Sequence, residues 1–184
     1  VDLIQQTGPL TGAVIAFNLG FARAVADGHA YVAHLNDDAE IMTPGAIDQA
    51  IEMMQNDGKI GEVAFAFDLW GEYHFDQVNH VPYANFGVVR TTAGIQVAKA
   101  QGDPEGLKWW SPIYRTYGAD SEFGAWLWKL GWRVHCADHL KVHDLRADDA
   151  LRANNTGARS EADSKLFWER WGKENLEQYL EKNK

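Results

Sequence analysis

Cysteine is almost absent from this chain: Cys136 is the only one among 184 residues. That excludes an internal disulfide and points to a reducing compartment, so a cytoplasmic location is the expectation. No apolar run reaches the roughly 18–20 residues that a membrane span requires, and the N-terminal stretch lacks the pattern of a secretory signal. No transmembrane segment is expected. Basic residues are scarce beside acidic ones, 17 Lys and Arg against 26 Asp and Glu, for a net charge of −9. Without a basic stripe to neutralise a phosphate backbone, nucleic acid is not an expected partner. A divalent cation can still supply local positive charge for a phosphorylated small ligand. Internal repeats and low-complexity segments are also missing, and the length suits a single domain spanning 1–184 with a proper core.

What is present centres on His29–Met42, HAYVAHLNDDAEIM. Tyr31, Val32, Ala33 and Leu35 compose a short buried strand, which ends in the adjacent aspartates Asp37 and Asp38. In open α/β sheets the carboxyl ends of the strands are where ligands bind, and paired carboxylate oxygens there suit Mg²⁺ or Mn²⁺. Taken alone, Asp-Asp reads more readily as the start of a turn than as a metal site.

Upstream, Gly12–Phe17 reads as a buried strand and Asn18–Gly28 as a short helix closed by Gly28, so that a parallel βαβ crossover is expected. Val1–Leu10 starts without Met and has no strand pattern, which suggests a piece of a longer product. Downstream, Thr43 and Pro44 suit the N-cap and first position of a helix carrying Ile47, Ala50, Ile51 and Met54 and closed by Gly58. Glu62–Leu69 is an apolar strand, followed by a turn and a polar strand over 73–78. Tyr83–Arg90 follows as a further strand, then a short helix over 94–100 and a Gly-, Pro- and Trp-rich loop to Gly118. Asp120 occupies the N-cap position of a helix over 121–130, whose Phe123, Trp126, Leu127 and Leu130 share a core face. Two short extended segments, 132–136 and 140–143, precede a polar loop over 144–160 with Arg146, Arg152 and Arg159. Two helical pieces over 161–180, interrupted at Gly172, close the chain.

Several of these pieces together resemble the family-2 glycosyltransferases of GT-A fold. Asn18-Leu19-Gly20-Phe21-Ala22 is similar to the family's N-x-G-F-A helix start. His34-Leu35-Asn36-Asp37-Asp38, followed by Pro44-Gly45, is similar to the L-N-D-D form of its D-x-D motif. Ala119-Asp120-Ser121-Glu122-Phe123 with Leu130-Gly131-Trp132 resembles its E-D-x-D helix and the following G-[YW]. Val142-His143 resembles the late metal-binding histidine, and Phe167–Gly172 an F-x-x-K-W-G tail. The motifs fall in the family's order from about Gly12 to Gly172.

The resemblance implies an α/β, GT-A-like (Rossmann-related) mixed sheet flanked by helices. It implies an inverting, metal-dependent transfer of sugar from a nucleotide-diphosphate donor to a carbohydrate or other hydroxyl acceptor. Asp38 and His143 would then hold Mn²⁺ or Mg²⁺, with Asn18, Asn36 and Asp37 on the donor side. Asp120 would be the catalytic base and Glu122 would face the acceptor. Trp109 and Trp110 are candidate platforms for an acceptor sugar, with packing as the open alternative. The three arginines suit a diphosphate clamp or plain surface charge. The sequence departs from the family at three places: Asn36 replaces the first aspartate of D-x-D, Ala119 replaces a glutamate, and the second asparagine after Asn18 is missing. Val1–Leu10 cannot supply the strand and loop that hold the nucleotide base, so an N-terminally truncated domain lacking its first βαβ unit is expected. The competing expectations are a non-catalytic carbohydrate- or partner-binding domain on the same scaffold and, behind it, a metal-dependent nucleotidyltransferase or phosphohydrolase.

Overall fold

The computed structural model describes residues 12–69, 71–78, 80–115, 117–145 and 158–172. Its α/β architecture is one mixed six-stranded sheet with helices on both faces and a separate two-stranded hairpin. The helices are α1 (Ala13–Ala26), α2 (Ala46–Asn56), α3 (Thr91–Ala100), α4 (Ala119–Lys129) and α5 (Ala158–Trp171). The strands are β1 (Tyr31–His34), β2 (Ala39–Ile41), β3 (Ile60–Leu69), β4 (Glu72–His74), β5 (Asp76–Val78), β6 (Val81–Tyr83), β7 (Gly87–Arg90) and β8 (Arg133–Asp144). The sheet runs β1-β7-β3-β8-β2 with β4 added to the end of β3, and β5 and β6 form the hairpin. Among the described residues only β3 and β8 pair in parallel, and the other pairs are antiparallel.

Alternation along β3 divides the core. Val63, Phe65 and Phe67 pack with α2 and with Phe86, Val88, Leu140 and Val142 on one face. Ala64 faces the other way, where residues of α1, α3, α4 and α5 gather with Val89, Val134, Trp109 and Trp110. Asp68 continues the second row. His143 falls on that same face, because its neighbour Val142 lies in the α2 core and adjacent residues alternate.

Upstream of β2, two expectations are overturned. Gly12–Phe17 is not a strand but the opening of α1, where Val14, Phe21 and Ala24 are buried at helical spacing. A six-residue apolar run carries no period that separates strand from helix. Gly12 adopts φ 99°, and a Cβ there would sit 2.5 Å from the Arg115 carbonyl oxygen. The expected parallel crossover disappears with that strand, and β1 pairs antiparallel to β7, Tyr31 opposite Arg90 and His34 opposite Gly87.

The segments over 132–136 and 140–143 are one strand, β8. Phe65 faces Ala137 while Ala66 faces Lys141, so Asp138, His139 and Leu140 bulge out of the ladder, which also shifts register at Gly61 between Ile60 and Glu62. Thr43 ties this bulge down: its hydroxyl donates to the His139 carbonyl at 2.8 Å and accepts the Lys141 N–H at 2.9 Å. Thr43 is therefore not the N-cap of α2; Gly45, at φ 70°, holds that position. Asp120 likewise lies inside α4, whose N-cap is Gly118, and its carboxylate shares the first turn with Glu122. Leu130 is not core, being 38% exposed. The polar strand over 73–78 is two strands, β4 and β5, which end and begin on either side of Phe75. Arg146 and Arg152 lie outside the described residues, as do the side chain of Arg159 and the helical piece beyond Gly172.

Candidate functional site

The turn between β1 and β2 carries Asn36, Asp37 and Asp38, as the strand pattern suggested. The Ala39 N–H closes it onto the Asn36 carbonyl at 3.2 Å, and Asn36 and Asp37 are exposed while Asp38 is half-buried. Beneath it, His34 and Glu62 form a buried pair 3.2 Å apart that anchors the end of β1. Burial raises the Glu62 carboxyl above its ordinary range, and His34 opposes that rise.

β2 brings this turn to the end of β8. Ala39 faces Asp144 and Glu40 faces His143, and the Leu145 N–H donates to the Asp38 carbonyl at 2.8 Å. His143 thus lies on β8 and Asp38 in the turn that leads into its neighbour β2. His143 Nδ1 lies 2.6 Å from Asp68 Oδ2, and Asp68 Oδ1 accepts the Asp144 N–H at 3.0 Å. Burial pushes the Asp68 carboxyl up, but the Asp144 N–H and the His143 ring outweigh it and leave it below the usual range.

Among the described residues, no three His, Cys, Asp or Glu side chains converge as a ready metal cage. The donor set nevertheless suits a hard cation that keeps most of its shell for water and phosphate, which needs only one or two carboxylates from protein. A histidine whose other ring nitrogen meets a carboxylate is the arrangement that ligating histidines adopt.

Asp120 sits on the α4 side of the sheet in a second constellation. A Cβ on Gly124 would lie 2.7 Å from the Tyr83 Cβ, so the bare glycine lets α4 lie directly on β6. Tyr83 faces Asp76 across the hairpin, and its hydroxyl meets the side chains of Asp76 and Ser121. Asn85 donates through Nδ2 to Asp76 Oδ2, and His74 Nε2 stands 3.8 Å from Asp76 Oδ1. Burial lifts the Asp120 carboxyl; the Ser121 N–H, 2.7 Å from Oδ1, opposes this, and the charge of Asp76 adds to the rise, which reaches about 6. Burial, then the charges of Asp120 and Asp76, also push the Tyr83 hydroxyl up.

The remaining expected site residues serve the core. Glu122 is fully buried. Its Oε2 accepts from the Tyr114 hydroxyl at 2.5 Å, Arg170 Nε at 3.0 Å and Trp171 Nε1 at 3.0 Å, and its Oε1 accepts from Arg170 Nη2 at 2.9 Å. It holds α5 to α4 and turns no oxygen outward, so the structure does not place it on an acceptor face. Trp109 is fully buried and stacks on Phe21 at 4.5 Å, while Trp110 packs on Phe17 at 4.4 Å. Neither indole offers a free face to a sugar. Asn18 spends both amide atoms on Trp110, donating to its carbonyl at 2.7 Å and accepting its N–H at 3.0 Å.

Asp68, Asp76 and Tyr83 escaped the sequence reading. Asp68 carried a signal, an aspartate at the carboxyl end of an apolar strand, the same signal that singled out Asp37 and Asp38. Asp76 and Tyr83 carried none, because only the hairpin and the Gly124 contact bring them to Asp120.

No protein-family model matches the chain, and no curated protein is significantly similar to it. No helix among the described residues is long and apolar enough to cross a membrane.

Proposed function

We propose that this chain is an inverting, metal-dependent glycosyltransferase domain of GT-A type, which moves a sugar from a nucleotide-diphosphate donor to an acceptor hydroxyl. The observation that carries the reading is the environment of Asp120: a carboxyl lifted to about 6 at the start of α4, beside Tyr83, Ser121 and Asp76. A general base works best with a pKa near the operating pH, and a positioned one contributes typically 10²- to 10⁴-fold in rate. The resemblance in the L-N-D-D turn and at His143 adds the second half of the site.

In this reading Asp120 takes the proton of the acceptor hydroxyl as its oxygen bonds to the anomeric carbon. The bond from that carbon to the diphosphate oxygen breaks on the opposite side, and its electron pair leaves with the nucleoside diphosphate. Asp38 and His143 would hold Mn²⁺ or Mg²⁺, which supplies charge stabilisation for the departing diphosphate. Asn36 and Asp37, exposed in the same turn, are the residues free to meet the donor.

The test is calorimetric binding of nucleoside diphosphates in the presence of Mn²⁺, to this chain and to one extended upstream, followed by a nucleotide-sugar panel. Asp120→Asn is expected to abolish transfer and retain donor binding, and Asp38→Ala to remove the metal dependence of that binding. Absence of donor binding in both chains overturns the catalytic reading. A second reading, a carbohydrate- or partner-binding domain on this scaffold, is favoured by the packing roles of Glu122, Trp109, Trp110 and Asn18. Sugar binding without any nucleotide dependence would select it.

A further inference from the structure

We propose that Asp68 is the positioning residue for His143, fixing its ring in the Nδ1-protonated tautomer so that Nε2 is the lone-pair nitrogen offered to a divalent cation. The inference rests on the metal half of the reading above. The two residues stand opposite each other in the parallel β3–β8 ladder, so the sheet itself sets their separation. An ionised carboxylate only accepts, and the 2.6 Å contact therefore requires the proton on Nδ1. Asp68 has no freedom to turn away, because its other oxygen holds the Asp144 N–H at 3.0 Å.

The exposure of the pair runs the right way for this role: the Asp68 side chain is 16% exposed and that of His143 41%. The carboxylate lies inside and the ring reaches solvent. Which nitrogen of a histidine binds metal is set by the hydrogen bond that the other makes. Glu40 stands opposite His143 on the adjoining strand, and the Asp38 carbonyl in the turn before it accepts the Leu145 N–H, so both carboxyl-bearing residues belong to the sheet edge at which His143 lies.

The test combines ¹⁵N NMR of the histidine-labelled protein at about pH 8 with Mn²⁺ binding read by electron paramagnetic resonance, using the metal alone. Wild type is expected to show His143 protonated at Nδ1. Asp68→Ala is expected to shift it to the Nε2-protonated form and weaken Mn²⁺ binding about 10- to 100-fold. Asp68→Asn, which keeps an acceptor oxygen, is expected to hold the tautomer and lose less. A wild-type ring protonated at Nε2, or Asp68→Ala with unchanged Mn²⁺ affinity, overturns the proposal. If wild type shows the Nδ1 tautomer but binds no Mn²⁺, and His143→Ala changes nothing, the metal assignment falls and the tautomer result still decides what Asp68 does to the ring.

Discussion

Arg170 grips both carboxylate oxygens of Glu122, through Nε at 3.0 Å and Nη2 at 2.9 Å, and so joins the last described helix to the helix that carries Asp120. Breaking a buried ion pair by removing one partner typically costs 3–5 kcal/mol, because the other charge stays behind unpaired. Here the Arg170 side chain is 40% exposed and can turn to water, whereas Glu122 cannot. Glu122→Ala is therefore expected to destabilise the fold by about 3 kcal/mol, read as a shift of the urea midpoint. Were Glu122 an acceptor contact instead, the loss would fall on acceptor KM with stability little changed.

Asn18 invites the same distinction on the donor side. Its two hydrogen bonds satisfy the backbone of Trp110, which is only 7% exposed. Leaving a buried donor and acceptor unmet costs about 1–3 kcal/mol each. Asn18→Ala is expected to lower stability by at least about 1 kcal/mol and to leave nucleotide affinity unchanged. Calorimetric titration of wild type and variant with a nucleoside diphosphate and Mn²⁺ checks the second half.

What the sequence made legible was whatever its local pattern decides. The β1 run ends in polar residues and so announced its turn; Ala50 and Met54 repeat at helical spacing and so announced α2. The first apolar run failed because six apolar residues have no visible period, and Val14, Phe21 and Ala24 reveal the helix only when Asn18–Ala26 is read with them. The β8 bulge failed because Asp138 and His139 look like a loop, while the hydroxyl that ties the bulge down belongs to distant Thr43. Trp109 was equally readable as a sugar platform. Its burial follows from Gly94, where a Cβ would lie 2.3 Å from the Trp109 ring. Asp37, Asp38, Asp120 and His143 were singled out by motif; their neighbours Asp68, Asp76 and Tyr83 come from the fold.

Gly124 is where the fold and the Asp120 constellation meet. A methyl group there would stand 2.7 Å from the Tyr83 Cβ and 3.0 Å from the Pro82 carbonyl oxygen. Neither neighbour is the free end of a flexible chain, so the hairpin must move. Gly124→Ala gains helix propensity of roughly 1 kcal/mol, but overpacking costs typically 1–3 kcal/mol. A net loss of stability of about 1 kcal/mol is expected, and with it a lowered transfer rate, because Tyr83 and Asp76 shift away from Asp120. A variant with unchanged melting temperature would show that the hairpin is not seated by this glycine.

The elevated Asp120 carboxyl makes a prediction with a definite sign. Its folded-state value, about 6, lies above the ordinary 3.8, so the folded protein binds this proton more tightly than the unfolded chain does. The stabilising contribution is complete below about pH 4 and is lost as pH rises through about 6. Asp120→Asn, which carries no charge at any pH, is therefore expected to be more stable than wild type at pH 7.5, by on the order of 2 kcal/mol, and to match it near pH 4. Urea denaturation at the two pH values measures the crossing. In the transfer proposed above, with Asp120 as base, the same carboxyl would set the acid limb: kcat/KM is expected to fall tenfold per unit below about pH 6, since only the ionised form accepts the acceptor proton. Asp76→Asn removes a charge that holds the carboxyl up, so it is expected to move that limb to lower pH. A limb that stays in place in Asp76→Asn would mean that burial alone sets the base.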